Sequence, residues 1–309
     1  MTATNGITLR VTDLKKYYGK VHAVDGVSFA IPTGSVFTIL GPNGAGKTTT
    51  LEILEGIRVP DAGEIEVFGV RVKQIDREVK KRLGVLLQDG NFEPYLKVKE
   101  VVKLFASFFP AALSVEEVLR RVALQEKGSA YIRTLSGGQR QRLAVGVALV
   151  NDPDLIFLDE PTTGLDPQAR RNMWSVITNL KEQRKTIILT THYMEEAEAL
   201  SDYVCIMDNG VIIAEGTPRE LAARLGQETI IEFSAGSIDA EWLNQLSSFG
   251  KGVRKDGEIV YVETEDLVET MEQMLAWSKE KRIPLKNMIV RQPNLEDVFL
   301  SLTGRKLRE

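Results

Sequence analysis

The sequence predicts an α/β fold followed by a smaller α+β domain. Three observations carry that prediction. "GPNGAGKT", Gly41 to Thr48, fits G-x-x-x-x-G-K-[ST] between a β-rich run, "GSVFTIL", and a stretch with apolar residues at helical spacing, "TTTLEILEGI". A second apolar run, "LIFLD", ends in the adjacent carboxylates Asp159 and Glu160. The end of the chain reads in the order β-α-β-β-α-β, the pattern of a ferredoxin-like domain.

Strand, glycine loop and helix in that order make a phosphate cradle. Glycines let backbone N–H groups crowd around oxyanions without Cβ clashes. The following helix start adds unpaired N–H donors and the positive end of its dipole. In this pattern Lys47 reaches the β/γ-phosphates and the Thr48 hydroxyl binds Mg²⁺.

Composition bounds the rest. The chain has 309 residues, enough for two domains, and is 43% hydrophobic, ample for a core. Its net charge of −4 gives no general attraction to nucleic acid or anionic lipid. A single cysteine, Cys205, excludes an internal disulfide and suits the cytosol. The opening "MTATNGITLRV" has no signal-peptide pattern, and no run approaches the ~18 apolar residues of a membrane span. Repeats and low-complexity segments are absent.

The second element of phosphate chemistry is "PDLIFLDEPTTGLDP", Pro153 to Pro167. A buried strand ending in carboxylates is where α/β sheets place their sites. Asp159 is positioned to hold Mg²⁺ directly or through water. Glu160 follows as the candidate to polarise an attacking water. A third buried strand, in "KTIILTTH", ends at His192 and is expected beside the Asp159 strand, which puts His192 near a γ-phosphate. The other histidine, His22, reads as an exposed strand-edge residue.

"LSGGQ", Leu135 to Gln139, opens a further helix, with Ser136 as N-cap and Gln139 at N3 in a capping-box pattern. Gly137 and Gly138 keep that helix start clear of side chains, as a phosphate-facing terminus needs.

Over Ile7 to Gly216 these motifs together resemble an ATP-binding cassette (ABC) ATPase, the nucleotide-binding subunit of a transporter. The resemblance implies a P-loop NTPase cassette with a β-rich N-terminal part and a helical subdomain at about residues 90–150. Gly41, Pro42, Asn43, Gly44, Ala45, Gly46, Lys47, Thr48 and Thr49 match the Walker A loop. Asp159 and Glu160 match Walker B and its catalytic glutamate. Gln88 in "GVLLQDGNF" matches the Q-loop glutamine, a Mg²⁺ ligand together with Thr48 and Asp159. Asp166 matches the D-loop aspartate and His192 the switch histidine. Tyr18 in "KKYYGK" matches the aromatic residue that stacks on adenine, with Tyr17 an adjacent alternative. Ser136, Gly137, Gly138 and Gln139 match the signature, which in this family faces the ATP bound by a second copy of the cassette.

Between Gln88 and the signature the pattern is helical. "KVKEVVKLFASFF" stops at Pro110, and "SVEEVLRRVAL" carries its own capping box, Ser114 with Glu117. In related cassettes this zone receives coupling helices of the membrane partner. Lys97 stands where a threonine is common. Thr217, Pro218, Glu220 and Gly226 frame the helix "GTPRELAARLG". The resulting domain boundaries are 1–226 for the ATPase and 227–309 for the α+β accessory domain, with a hairpin about Asp256-Gly257 and a final helix capped by Asn294. Its close, "PNLEDVFLSLTG", resembles cassettes of drug, antibiotic and polysaccharide exporters with separately encoded membrane subunits.

The expectation is therefore an ATPase subunit that powers export through a polytopic permease, by head-to-tail homodimerisation on ATP, with Mg²⁺ as its metal. It would act in the cytoplasm, peripheral on the inner face of the membrane, with no nucleic-acid partner. The ATPase of an importer, or a soluble non-transport cassette, are the alternatives.

Overall fold

The computed structural model describes residues 6–72, 74–86, 92–224, 229–235 and 240–304. Gln88 and Gly226 lie outside the described residues. The chain divides into two compact units, the first running to Pro218 and the second beginning at Arg219.

The first unit is built on two sheets. One has four antiparallel strands, in the order Val21–Pro32, Ile7–Tyr18, Ala62–Val67 and Val70–Val72. It supplies the β-rich N-terminal part. The other has six strands, in the order Val211–Gly216, Tyr203–Asp208, Val36–Leu40, Thr186–Thr191, Leu155–Asp159 and Leu83–Val85. All its neighbours are parallel except at the Val211–Gly216 edge. The three central strands are buried at every residue, because both faces of the sheet are covered. Leu40 pairs with Thr191 and Asp159 with Thr190, so three strands end together at one rim.

One core cluster joins the two sheets through residues such as Leu9, Phe29, Phe37 and Phe157. Phe29 and Phe37 stack at 4.9 Å. The other face carries the helical region, where Val98–Ala106, Val115–Arg121 and Gly137–Ala148 bury Val101, Val118 and Leu143 against Ile156 and Ile177. Ser114 caps its helix by accepting from Glu117 N at 3.1 Å. The reciprocal half of that expected box does not form. Glu117 instead binds Arg120 and Arg121, at 2.7–2.8 Å, because two charged donors on its own helix outcompete a single amide.

The second unit has four antiparallel strands, in the order Gly252–Asp256, Ile259–Thr264, Thr229–Ser234 and Lys286–Arg291. Placing the first strand between the third and the fourth is the split β-α-β arrangement of a ferredoxin-like domain. The hairpin turns at Gly257, whose φ of +58° is open to glycine at no steric cost. Ile231, Phe233, Val262, Met274 and Trp277 form a core of their own. Asn294 caps the helix Leu295–Thr303 through a complete capping box with Asp297. The helix Pro218–Ala223 begins where the two units divide, ahead of the 226/227 boundary expected from the sequence.

Candidate nucleotide site

The rim shared by the three strands opens on a cavity of about 410 Å³. Tyr18, Asn43, Gly44, Gly46, Lys47, Thr48, Thr49 and Glu160 line it, so eight residues singled out from the sequence meet in one place. Val21, His22, Ala23 and Asn209 complete the wall.

Local geometry explains the loop. Gly46 has a φ of +101°, and a Cβ there would lie 2.2 Å from the Ala23 carbonyl. Only glycine fits, and the close approach seats the loop against the Val21–Pro32 strand. Ala45 N bonds Pro42 O at 3.1 Å and closes the turn. The helix Lys47–Leu54 then starts with its free N–H groups toward the loop. Lys47 is 4% exposed, and its ammonium donates to the carbonyls of Gly41 at 2.8 Å and Pro42 at 3.2 Å.

The two adjacent carboxylates diverge. Asp159, buried at the strand end, accepts a hydrogen bond from the Thr190 hydroxyl. Glu160 takes the left-handed backbone conformation, φ +45°, which costs on the order of 1 kcal/mol or more for a non-glycine residue. Bonds from its amide to Thr190 O at 3.2 Å and Thr190 Oγ1 at 3.0 Å hold it there. Its side chain turns into the cavity, with Oε1 3.3 Å from Lys47 Nζ and Oε2 3.4 Å from His192 Nδ1. The latter is an ion-pair distance without hydrogen-bond alignment. Thr163 donates to Oε2 at 3.1 Å.

These surroundings set the charges. Burial pushes Glu160 upward, but the Lys47 ammonium and His192 outweigh it and hold the carboxyl below the ordinary glutamate value. Burial lowers Lys47, against the pull of Glu160 and Asp159. A carboxylate that stays ionised beside a buried ammonium suits a base facing phosphate.

Tyr18 is half exposed at the cavity mouth, with Lys16 5.6 Å and Arg58 5.7 Å from its ring centre. Tyr17 turns away and its hydroxyl donates to Asp25 at 2.9 Å. His22 is exposed on a strand, as expected, yet it reaches the cavity wall.

Ser136, Gly137, Gly138, Gln139 and Asp166 do not line this cavity. Ser136 and Gln139 form their capping box, with bonds of 3.3 and 3.0 Å. Asp166 caps the helix Pro167–Glu182, accepting from Gln168 N at 3.0 Å and Ala169 N at 2.9 Å.

Sequence reasoning missed Thr190, Thr163, Ala23 and Asn209. A hydroxyl at the end of the strand before His192 was a visible signal for Thr190. Nothing local linked Ala23 or Asn209 to the phosphate loop.

Fold and site define a P-loop nucleotide hydrolase. The ABC transporter family model matches residues 24–163. The chain is 40% identical over 306 residues to "Nod factor export ATP-binding protein I" of Ralstonia nicotianae, covering 97% of this chain and 95% of that protein. Among solved structures, cbiO1 from Clostridium perfringens, part of the ABC transporter complex cbiONQ, is similar with 29% identity and a TM-score of 0.63, covering 72% of this chain and 92% of that one. The ATP-binding cassette MJ0796, in a dimeric post-hydrolysis state bound to ADP and Pi, is similar with 25% identity and a TM-score of 0.60, covering 68% of this chain and 98% of that one. The chain belongs to the ATP-binding subunits of ABC transporters and is an ATPase.

Proposed function

We propose that this ATPase powers export through a separate transmembrane permease, by closing head to tail with a second copy of itself on ATP. The observation that carries the reading is that Glu160, in the cavity of the phosphate loop, lies between Lys47 of that loop and His192. Backbone amides of the loop, those of Asn43, Gly44 and Gly46, hold the phosphates together with Lys47, and Tyr18, rather than the hydrogen-bonded Tyr17, stacks on adenine. Glu160, kept ionised by Lys47 and His192, polarises the attacking water. His192 contacts the γ-phosphate.

Thr48, Asp159 and Gln88 would hold Mg²⁺. The ion takes one or two carboxylates plus phosphate oxygens and water, which fits a site offering the Thr48 hydroxyl in the cavity wall and the single buried carboxylate of Asp159 at the strand end. Its chemistry there is neutralisation of charge on the β- and γ-phosphates.

Export is supported by the name of the relative that matches nearly the whole chain. No helix among the described residues is long and apolar enough to cross a membrane. The chain would act as a peripheral subunit on the cytoplasmic face. The dimer is supported by the solved dimeric relative and by a signature that lies outside its own chain's cavity. Ser136 to Gln139 and Asp166 would complete the partner's site. Residues 227–309 are an accessory domain in this reading.

Glu160→Gln tests it. ATP binding should persist while turnover falls by roughly 10²–10⁴, the usual worth of a general base. An ATP-bound dimer should accumulate. Turnover near wild type would overturn the assignment.

A further inference from the structure

Glu196 has no part in the chemistry above, yet it is completely buried on the short helix Met194–Leu200. A buried carboxyl is expensive unless several groups need it. Its Oε1 accepts from the Trp174 indole N–H at 3.0 Å, on the helix that Asp166 caps. One turn earlier on that helix, the Arg170 guanidinium lies over the Tyr193 ring at 4.3 Å. The Tyr193 ring in turn lies 4.1 Å from that of His192. Tyr193 N donates to Thr191 Oγ1 at 3.0 Å, fixing the turn that carries both rings. The other Glu196 oxygen, Oε2, is buried with no hydrogen-bond partner.

This carboxylate therefore ties two segments together: the helix behind Asp166, and the turn and short helix that follow His192. We infer that Glu196 is a positioning residue that locks these two segments, so that His192 and Asp166 are held in register. It touches no substrate. Its effect passes through Trp174 and the Thr191–Tyr193 turn. The inference rests on the ATPase reading of Glu160, and the Glu160→Gln control above separates the two. A failure of that control condemns the site assignment, whereas the outcomes below concern Glu196 alone.

The test is steady-state ATPase kinetics of the full chain, with thermal melting alongside. Glu196→Gln keeps an oxygen for Trp174 and should stay within about threefold of wild type. Glu196→Ala should lower kcat by about 10- to 100-fold with the KM for ATP within about threefold, since misplacement by about an ångström costs on that order. Trp174→Phe removes the N–H and keeps the ring. It should lower kcat by about three- to tenfold, with no further loss when combined with Glu196→Ala. Should Glu196→Ala not fold, Glu196→Gln and Trp174→Phe decide. Wild-type kcat in Trp174→Phe overturns the inference. So does a Glu196→Gln variant as impaired as Glu196→Ala, or a Glu196→Ala variant that melts early yet turns over normally.

Discussion

The composite-site reading can be broken at a single glycine. Gly137 and Gly138 both begin the signature helix, but the structure separates them. A Cβ on Gly138 would lie 2.6 Å from the Ala169 side chain, so a substitution there also pushes two helices apart. A Cβ on Gly137 meets nothing within 4 Å. An aspartate at Gly137 would sit in the first helical turn, where negative charge complements the dipole, so the chain's own fold should not suffer. In the closed dimer it would face the partner's γ-phosphate. At a separation of about 5 Å and an effective dielectric of about 20, one pair of like charges costs about 3 kcal/mol, on the order of 100-fold in dimer affinity. The assay is ATP trapping and sedimentation in a Glu160→Gln background. Gly137→Asp should bind ATP as a monomer and fail to dimerise, and Lys47→Ala should lose ATP. Mixed in equal amounts, neither chain pairs with itself, so the dimers that form join unlike chains and each holds one intact site. About half of the sites in those dimers should then trap ATP. If Gly137→Asp dimerises within about threefold of its parent, or mixed dimers trap no more ATP than either mutant alone, the signature works within its own chain.

Three further outcomes follow from buried charge and from the division of the chain. Glu55 caps the C-terminal end of the phosphate-loop helix, and burial, Asp159 and Glu52 push its carboxyl up to about 7. Its folded value is raised, so stability falls as pH climbs from the ordinary glutamate range through about 7. Glu55→Gln should recover at most about 3 kcal/mol at pH of about 8 and nothing near pH of about 4, read as a melting shift of several degrees at the higher pH only. Asp297 is 5% exposed and binds both Arg254 and Arg291. Burial opposes its charge, but Arg291 prevails and depresses its value, so its contribution is full above the ordinary aspartate range and is lost as pH falls through the lower folded value. Asp297→Ala removes the carboxylate that two guanidiniums share, leaving Arg291 with Glu232 and the Gln292 carbonyl. It should cost at most about 3–5 kcal/mol at neutral pH, seen by denaturant unfolding; a loss under about 1 kcal/mol would refute the pairing argument. A chain ending at Arg224 should stay soluble and bind ATP, and an insoluble product would show that the two units share a core.

The sequence by itself determined what depends on near neighbours. The phosphate loop, the signature helix cap and the Asp166 cap are each complete within a few residues, because their bonds join backbone and side chain across one turn. The central strands were legible because a strand covered on both faces must be apolar throughout. The ferredoxin-like order of the second unit was readable from alternating periods. What tertiary structure alone decided is which distant pieces meet. The 3.3 Å approach of Glu160 to Lys47 depends on the Thr186–Thr191 strand lying between their two strands. Thr190 became part of the site because register set it opposite Asp159. Tyr18 and Tyr17 are equivalent in the sequence and were separated only by Asp25, which captures one of them. Ser114 and Glu117 spell a full capping box, yet Arg120 and Arg121 took the glutamate, since competition among donors is settled by geometry and charge, not by spacing. Glu55 and Glu196 look like ordinary helix-surface acids in the sequence. Only the packing of other elements against them makes one a raised, buried carboxyl and the other a buried acceptor for Trp174 of a neighbouring helix.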